Sequence, residues 1–315
     1  MAQNGLLLTM FPYKKILGAL CFPIVFGGAL WGTHHALGQA ITPGLVVLFS
    51  SLFVAACVTI LERVIPFESE WSRSHKDLPT DSVYAISSLL GAPNVFDALA
   101  LASLAEASAW LLDRIDVHLW PGYWPWLPQV LLAVLVAEFG SYFWHRFMHE
   151  SPTLFRLHAT HHSSLRLYWL NSTRFHPLDN VIMYGFQVLP LILLGVPESI
   201  LVGFTVWSLA HGFFQHANID VKLGPLNYIF SMSELHRWHH SRKLEEANKN
   251  YGSNCIFWDL VFGTFFWPRD RRPPADIGLN GLPSFPQRFL PQMLSPFFWK
   301  DKTWSESKDS ESEAA

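Results

Sequence analysis

Four apolar runs restrict what this chain can fold into: Ile16 to Trp31, Leu45 to Ile65, Val83 to Leu112 with a break near Pro93, and Leu127 to Trp144. A helix needs about 20 such residues to cross a bilayer core of roughly 30 Å, so each run qualifies, or nearly qualifies, as a transmembrane helix. A fifth region, Val181 to Ala210, is apolar but split by Gly195, Val196, Pro197 and Glu198, which stop one helix and start another. It is predicted to be a hairpin of two short helices. Half of the residues are apolar and only 15% are charged, against roughly a quarter in a soluble domain. No small-residue cleavage site follows the first run convincingly, so it is read as a helix and not as a removed signal peptide.

Charge gives an independent test of topology, because loops on the cytoplasmic side carry the excess of Lys and Arg. With Lys14 and Lys15 inside, the stretches Pro66 to Ser82, His145 to Asn180 and everything after His211 also fall inside. Only Arg114 of the 22 basic residues is then outside. The outer loop from Trp120 to Trp126 has the aromatic content of an interfacial belt. A net charge of -3 gives no reason to expect a nucleic-acid partner. The three cysteines, Cys21, Cys57 and Cys255, are far apart and form neither a disulfide framework nor a Cys-x-x-Cys word. Any redox chemistry must therefore use other residues.

Those residues are histidines. Ten lie in four clusters: His145/His149, His158/His161/His162, His211/His216 and His236/His239/His240. Imidazole suits iron, copper, nickel and zinc, and ten are too many for one tetrahedral site, so two ions sharing the clusters is the natural count. Residues four apart share a helix face, which places His145 and His149 together at the end of the fourth run; His158/His161/His162 and His236/His239/His240 repeat that spacing. His211 and His216, five apart, do not share a face on a regular helix. His34, His35, His75 and His118 stand alone and read as structural hydrogen-bonding residues. His176, in Arg174-Phe175-His176-Pro177-Leu178-Asp179, could line a substrate entrance, orient a ligand or cap the next helix.

The ordered set His145-x-x-x-His149, His158-x-x-His161-His162 and His236-x-x-His239-His240 resembles the fatty acid hydroxylase / sterol desaturase superfamily of membrane di-iron enzymes. Glu138, Tyr142, Phe175-His176-Pro177, His216-Ala217-Asn218-Ile219 and Trp258-Asp259 belong to the same resemblance, which covers about residues 130 to 268. It implies two iron ions held by the ten clustered histidines, with dioxygen as cosubstrate and a membrane lipid hydroxylated, or desaturated, at an unactivated C–H bond. Sterols, fatty acyl or sphingoid chains, carotenoids, ether lipids and ornithine lipids are all open as substrates. Glu138, Asp179 and Asp259 are expected to orient ligand imidazoles, or else to act as ordinary interface caps.

No Glu-x-x-His pairing of the soluble di-iron kind is present, and no His-Pro-Gly-Gly haem word. Electrons are therefore expected from a separate ferredoxin, rubredoxin or cytochrome, docking near Arg242 and Lys243. A zinc-dependent membrane hydrolase or a metal transporter is the alternative from the same nitrogens. The first would want a His-Glu-x-x-His word, which is missing, and the second would want ionisable residues near the bilayer midplane.

The expected architecture is an all-α integral membrane protein with about four transmembrane helices, a two-helix hairpin and a cytoplasmic histidine-rich helical cap. Residues 1–126 carry the N-terminal helices and 127–272 the di-iron region, including the hairpin 181–210. Residues 273–315 form a polar tail, with disorder expected from Asp301 to Ala315. A bacterial inner membrane is favoured over the endoplasmic reticulum, because no retrieval signal ends the chain.

Overall fold

A computed structural model describes residues 3–90, 92–115, 119–282 and 284–298, with side chains described there except at 3–12 and 89–102. His118 and the stretch 301–315, both subjects of expectations above, lie outside the described residues. Twelve α-helices are present in what is described: α1 (Gln3–Gly38), α2 (Pro43–Val64), α3 (Leu78–Leu90), α4 (Ala92–Arg114), α5 (Trp126–Glu150), α6 (Pro152–His162), α7 (Pro177–Leu193), α8 (Glu198–His216), α9 (Ser233–His239), α10 (Leu244–Ala247), α11 (Phe257–Phe262) and α12 (Phe289–Leu294). Among the described residues there are no strands, only the isolated bridges Phe230 to Cys255 and Ser241 to Ile277.

Proline punctuates the helix starts. Pro43, Pro152 and Pro177 occupy the first turns of α2, α6 and α7, where a missing N–H costs nothing and the fixed φ is already helical. Ser151 reinforces the start of α6 by accepting the Leu154 N–H at 3.4 Å.

Three described helices are long and apolar enough to cross a membrane: Tyr13–Gly38 of α1, then α2 and α5. The expected count was about four with a hairpin. The third apolar run holds α3, to Leu90, and α4, from Ala92, close to the predicted break. The split of the fifth run occurs as expected at Gly195, whose φ of +73° is the left-handed turn conformation that glycine adopts without penalty. Its two arms, α7 and α8, pack mainly on α5 and on other helices instead of on each other.

Two glycines permit that arrangement. A Cβ on Gly140 of α5 would lie 2.4 Å from the Phe186 carbonyl oxygen of α7, and a Cβ on Gly203 of α8 would lie 2.5 Å from the Trp126 ring of α5. Against α8 stand α1 and α2, joined through a core that includes Phe22, Phe26, Val54, Val58, Phe204 and Phe214. The opposite faces of α1 and α2 remain apolar and exposed at Ile16, Ile24, Trp31, Phe49, Leu52 and Ile60, as lipid-facing surfaces must be.

Within the stretch expected to be a polar tail, Phe289–Leu294 forms α12. In α12, Gln292 accepts the Tyr84 hydroxyl at 2.8 Å and donates to Ser163 Oγ at 3.0 Å, which ties residues 287–295 to α3 and to the end of α6.

Candidate metal centre

Four helix ends converge. α5 delivers His145 and His149, α6 delivers His158, His161 and His162, α8 ends on His216, and α9 with its C-cap delivers His236, His239 and His240. The potential ligand atoms fall into two groups, each with all its atoms within 4.8 Å of one another: His145, His149, His158, His162 and His239 in the first, and His161, His216, His236 and His240 in the second. Every one of the nine is buried.

Helical geometry explains how the words are divided. In each H-x-x-H-H word the outer pair, four residues apart, shares a face and serves one group, while the middle histidine is rotated away and serves the other. Thus His158 and His162 join the first group and His161 the second; His236 and His240 join the second and His239 the first. The two words exchange one imidazole each, which locks α6 against α9.

Six of the remaining ring nitrogens are fixed from outside, whereas Nδ1 of His236 and of His240 is buried with no hydrogen-bond partner among the described residues. Nδ1–H of His145 donates to the Tyr251 carbonyl (2.7 Å), that of His239 to the Lys249 carbonyl (2.9 Å), and that of His149 to Asn248 Oδ1 (3.2 Å). His158 donates to Asp179 Oδ2 (2.9 Å), His161 to the Arg174 carbonyl (3.3 Å) and His216 to Asn171 Oδ1 (3.0 Å). A proton committed to Nδ1 leaves the Nε2 lone pair free for a metal, so these acceptors set both tautomer and ring direction.

Three of the six acceptors come from one short segment, 248–251, and that segment is itself held. Asp259 accepts the N–H groups of Tyr251 and Gly252, each at 2.8 Å, and the Thr264 hydroxyl at 2.6 Å. Glu138 accepts from the Ser253 N–H, and from the backbone and side-chain nitrogens of Asn254. Asn250 takes the left-handed φ of 53° and bonds through its side chain to Leu235 and Phe266; asparagine is among the few non-glycine residues that tolerate this region.

Glu138 and Asp259 therefore act on the imidazoles through the backbone of this segment, and Asp179 alone of the three expected carboxylates touches a ring. Burial raises the Asp259 carboxyl to about 6.

The second group has its own support. The Arg174 guanidinium is ion-paired with Asp81 at 2.5 Å, both fully buried, and this holds the carbonyl that receives His161. His176 caps α7 by accepting the Leu178 N–H (3.2 Å) and donates from Nε2 to the Met293 carbonyl (3.2 Å), so both its nitrogens are engaged. His211 lies outside both groups, fully buried against Phe22 and Phe230. Its five-residue separation from His216 turns it off the face that reaches the centre.

The donor set fits a pair of metal ions. Nε2 of His149, His162 and His239 is buried with no hydrogen-bond partner. Elsewhere Nε2 atoms face one another, His145 to His158 at 3.0 Å, His216 to His236 at 2.9 Å and His236 to His240 at 3.0 Å. Facing lone pairs repel unless a cation or a proton sits among them. A second ring proton is disfavoured, because burial, reinforced by neighbouring imidazoles, pushes His158, His161, His162, His236, His239 and His240 well below the usual histidine range; His145 and His158, each with its one proton on Nδ1, therefore face each other through lone pairs. An all-nitrogen set of this kind suits iron, copper, nickel or zinc by ligand type.

Comparison with known proteins agrees with the boxes. Residues 130–264 match the fatty acid hydroxylase family model. The chain is 32% identical over 293 residues to the ornithine lipid hydroxylase OlsE of Rhizobium tropici, covering 91% of this chain and 86% of that protein. It is also 34% identical over 181 residues to an alkylglycerol monooxygenase of Danio rerio (56% and 38% of the two chains), and 26% identical over 146 residues to methylsterol monooxygenase 1 of Rattus norvegicus (46% and 48%). No solved structure matches significantly. These relatives are hydroxylases and monooxygenases, and none supports the zinc hydrolase or transporter alternative. With a relative this similar along nearly its whole length and the histidine words intact, the chain is an oxidoreductase that belongs to the fatty acid hydroxylase family.

Proposed function

We propose that the two histidine groups hold two iron ions and that the enzyme hydroxylates a C–H bond of a membrane lipid bearing an amino-acid head group, of the ornithine-lipid kind. The observation that carries this reading is the pair of adjacent, fully buried, nitrogen-only groups at the ends of helices whose outer faces are apolar. The head-group class is supported by similarity to an ornithine lipid hydroxylase over 91% of the chain, whereas the similarity to the alkylglycerol and methylsterol enzymes spans about half of it.

Bound iron would supply the reduction of dioxygen and the oxidising power needed for the C–H bond. The balance is R–H plus O2, two electrons and two protons, giving R–OH and water. The electrons come from a separate carrier of the ferredoxin, rubredoxin or cytochrome type, docking near exposed Lys243; Arg242 there is already paired with Asp276 at 2.8 Å. The protein's own residues keep the imidazoles neutral, fix their Nδ1 protons on the acceptors of 171, 174, 179 and 248–251, and exclude water from the centre. The catalytic region is 127–272. The distribution of Lys and Arg supports an N-terminus and histidines on the cytoplasmic side of the membrane, taken here as a bacterial inner membrane.

Mass spectrometry of membrane lipids from cells carrying the intact gene, a deletion and a His239→Ala variant tests the proposal. A lipid with one extra oxygen, present only with the intact gene, is the expected result. Loss of two hydrogens would establish desaturation in its place, and identical lipids under aerobic growth would overturn the reading.

A further inference from the structure

The region that follows the last histidines carries an exposed apolar surface. Between Lys249 and Arg269 the only charged residue is Asp259. It turns inward, fully buried on the N–H groups of Tyr251 and Gly252 and the Thr264 hydroxyl. The rest of α11 faces outward: Phe257, Leu260, Val261 and Phe262 are each 40–53% exposed. A helix on a water-facing surface shows its polar residues on the outside and its apolar ones to the core; α11 does the reverse. The stretch from Cys255 to Trp267, apolar but for Asp259, Gly263 and Thr264, is too short to span a bilayer, which takes about 20 residues.

The neighbour of α11 fixes its depth. It lies against α5, with ring centroids 4.8 Å apart for Trp258 and Phe139 and 5.1 Å apart for Phe262 and Phe143. α5 is one of the three helices able to cross the membrane, and its outer stripe of Leu127, Leu131, Leu135, Phe139 and Phe147 is exposed and apolar. Leu127 follows closely on exposed Tyr123 and Trp124, aromatic residues of the kind that mark one edge of the hydrocarbon. At 1.5 Å per residue, Phe139 and Phe143 stand about 18 and 24 Å from Leu127, within a core of roughly 30 Å. Arg146, ion-paired with Glu150, comes only about 5 Å beyond Phe143. The exposed face of α11 is thus continuous with a lipid-facing stripe, at a level short of the charges that end α5. Past Gly263 the chain returns to Arg269, which lies over the Trp267 ring at 4.1 Å and donates to the Tyr228 hydroxyl at 3.0 Å, a grouping that suits a membrane–water boundary.

We infer that α11 is an in-plane membrane helix whose Phe257, Leu260, Val261 and Phe262 lie among the acyl chains of the leaflet in which α5 ends. A bilayer is the occupant that suits this surface, because the stripe of α5 with which it is continuous faces lipid. Residues 257–262 thereby move into the membrane from the cytoplasmic side, where the distribution of Lys and Arg alone puts them. The contact also bears on the first histidine group. Asp259, on the inner face of the same helix, holds the backbone whose Tyr251 carbonyl receives the Nδ1–H of His145, and His145 follows Phe143 by two residues. That group is then held near the boundary between acyl chains and head groups. The inference rests on the chain spanning the membrane and is independent of the reaction catalysed.

Depth measurement tests it. Val261→Cys, Leu131→Cys and Lys243→Cys, each made with Cys21, Cys57 and Cys255 replaced by alanine, are spin-labelled and reconstituted into vesicles of phosphatidylethanolamine and phosphatidylglycerol. Collision of each label with oxygen, which concentrates among acyl chains, is compared with collision with a water-soluble nickel chelate. The label at 261 is expected to favour oxygen severalfold, as does the one at 131 on the lipid face of α5, whereas the label at exposed 243 favours the chelate. A label at 261 that behaves like the one at 243 overturns the inference. Dipolar broadening at 261 that vanishes on dilution with unlabelled chain overturns it in favour of a second copy. Should the cysteine-free chain fold poorly, Phe257 is replaced by p-benzoylphenylalanine in the otherwise native protein. Irradiation in the same vesicles is then expected to add the mass of one phospholipid, and a covalent dimer or no adduct would overturn the inference.

Discussion

Glu138→Gln should empty one metal site and spare the other. Glu138 is fully buried two turns before His145 and accepts the Ser253 N–H, the Asn254 N–H (3.0 Å) and the Asn254 side-chain amide (3.1 Å). Glutamine keeps one acceptor oxygen and turns the other into a donor that faces donors. At least one charge-assisted bond is lost and one buried N–H is left unpaired, together roughly 3 kcal/mol, since each such effect is of order 1–3 kcal/mol. A loss of that size is below the 5–15 kcal/mol of a typical domain, so the chain still folds while residues 248–254 loosen.

That segment receives Nδ1–H from His145, His149 and His239, three of the five histidines in the first group, and from none in the second. Weakened outer contacts commonly lower metal affinity about 10–100-fold. Elemental analysis of protein purified with iron(II) should therefore fall from about two ions per chain to about one, with the thermal midpoint only modestly lowered. Two ions retained, or both lost together, would refute the idea that this segment serves the first group selectively.

His211→Ala should leave the iron content at the wild-type value, because His211 reaches neither group; His240→Ala should lower it by about one ion, and equal losses in the two variants would contradict the division. The metal-free protein should lose stability as pH falls from about 7 to 5: the histidines of α6 and α9 have folded pKa values well below 6.5, so the unfolded chain binds more protons there and stability rises with pH, by up to about 1.4 kcal/mol per pH unit for each such histidine. A flat thermal midpoint across that interval in detergent would count against their burial. Gly140→Ala should cost about 1–3 kcal/mol by overpacking, because its new Cβ meets the Phe186 carbonyl at 2.4 Å; a thermal midpoint equal to wild type would show that α5 and α7 are less closely packed.

Much of this was legible in the chain because it depends on neighbours in sequence. Apolar length marks α2 and α5 as spans, Gly195 and Pro197 separate α7 from α8, and spacing by four aligns His145 with His149. The resemblance implies His211 as a ligand, whereas its five-residue spacing from His216 speaks against a shared face, and its ring lies outside both groups. Local logic missed Tyr251, Lys249 and Arg174, whose contribution is a backbone carbonyl that any residue possesses, and which therefore leaves no mark of residue type. Asn171 and Asn248 act through side chains, yet each is an ordinary loop asparagine until its histidine is brought beside it.

By itself, then, the sequence determined the main apolar helices, the candidate metal-ligating histidines and the family, since hydrophobic length and i, i+4 spacing are properties of one segment at a time. Only the tertiary structure decided which imidazole serves which group and what receives the Nδ1 protons of His145, His149, His158, His161, His216 and His239. Those outcomes require segments as far apart as 145 and 251, or 138 and 254, to meet; no local pattern encodes a meeting that is settled by how whole helices pack.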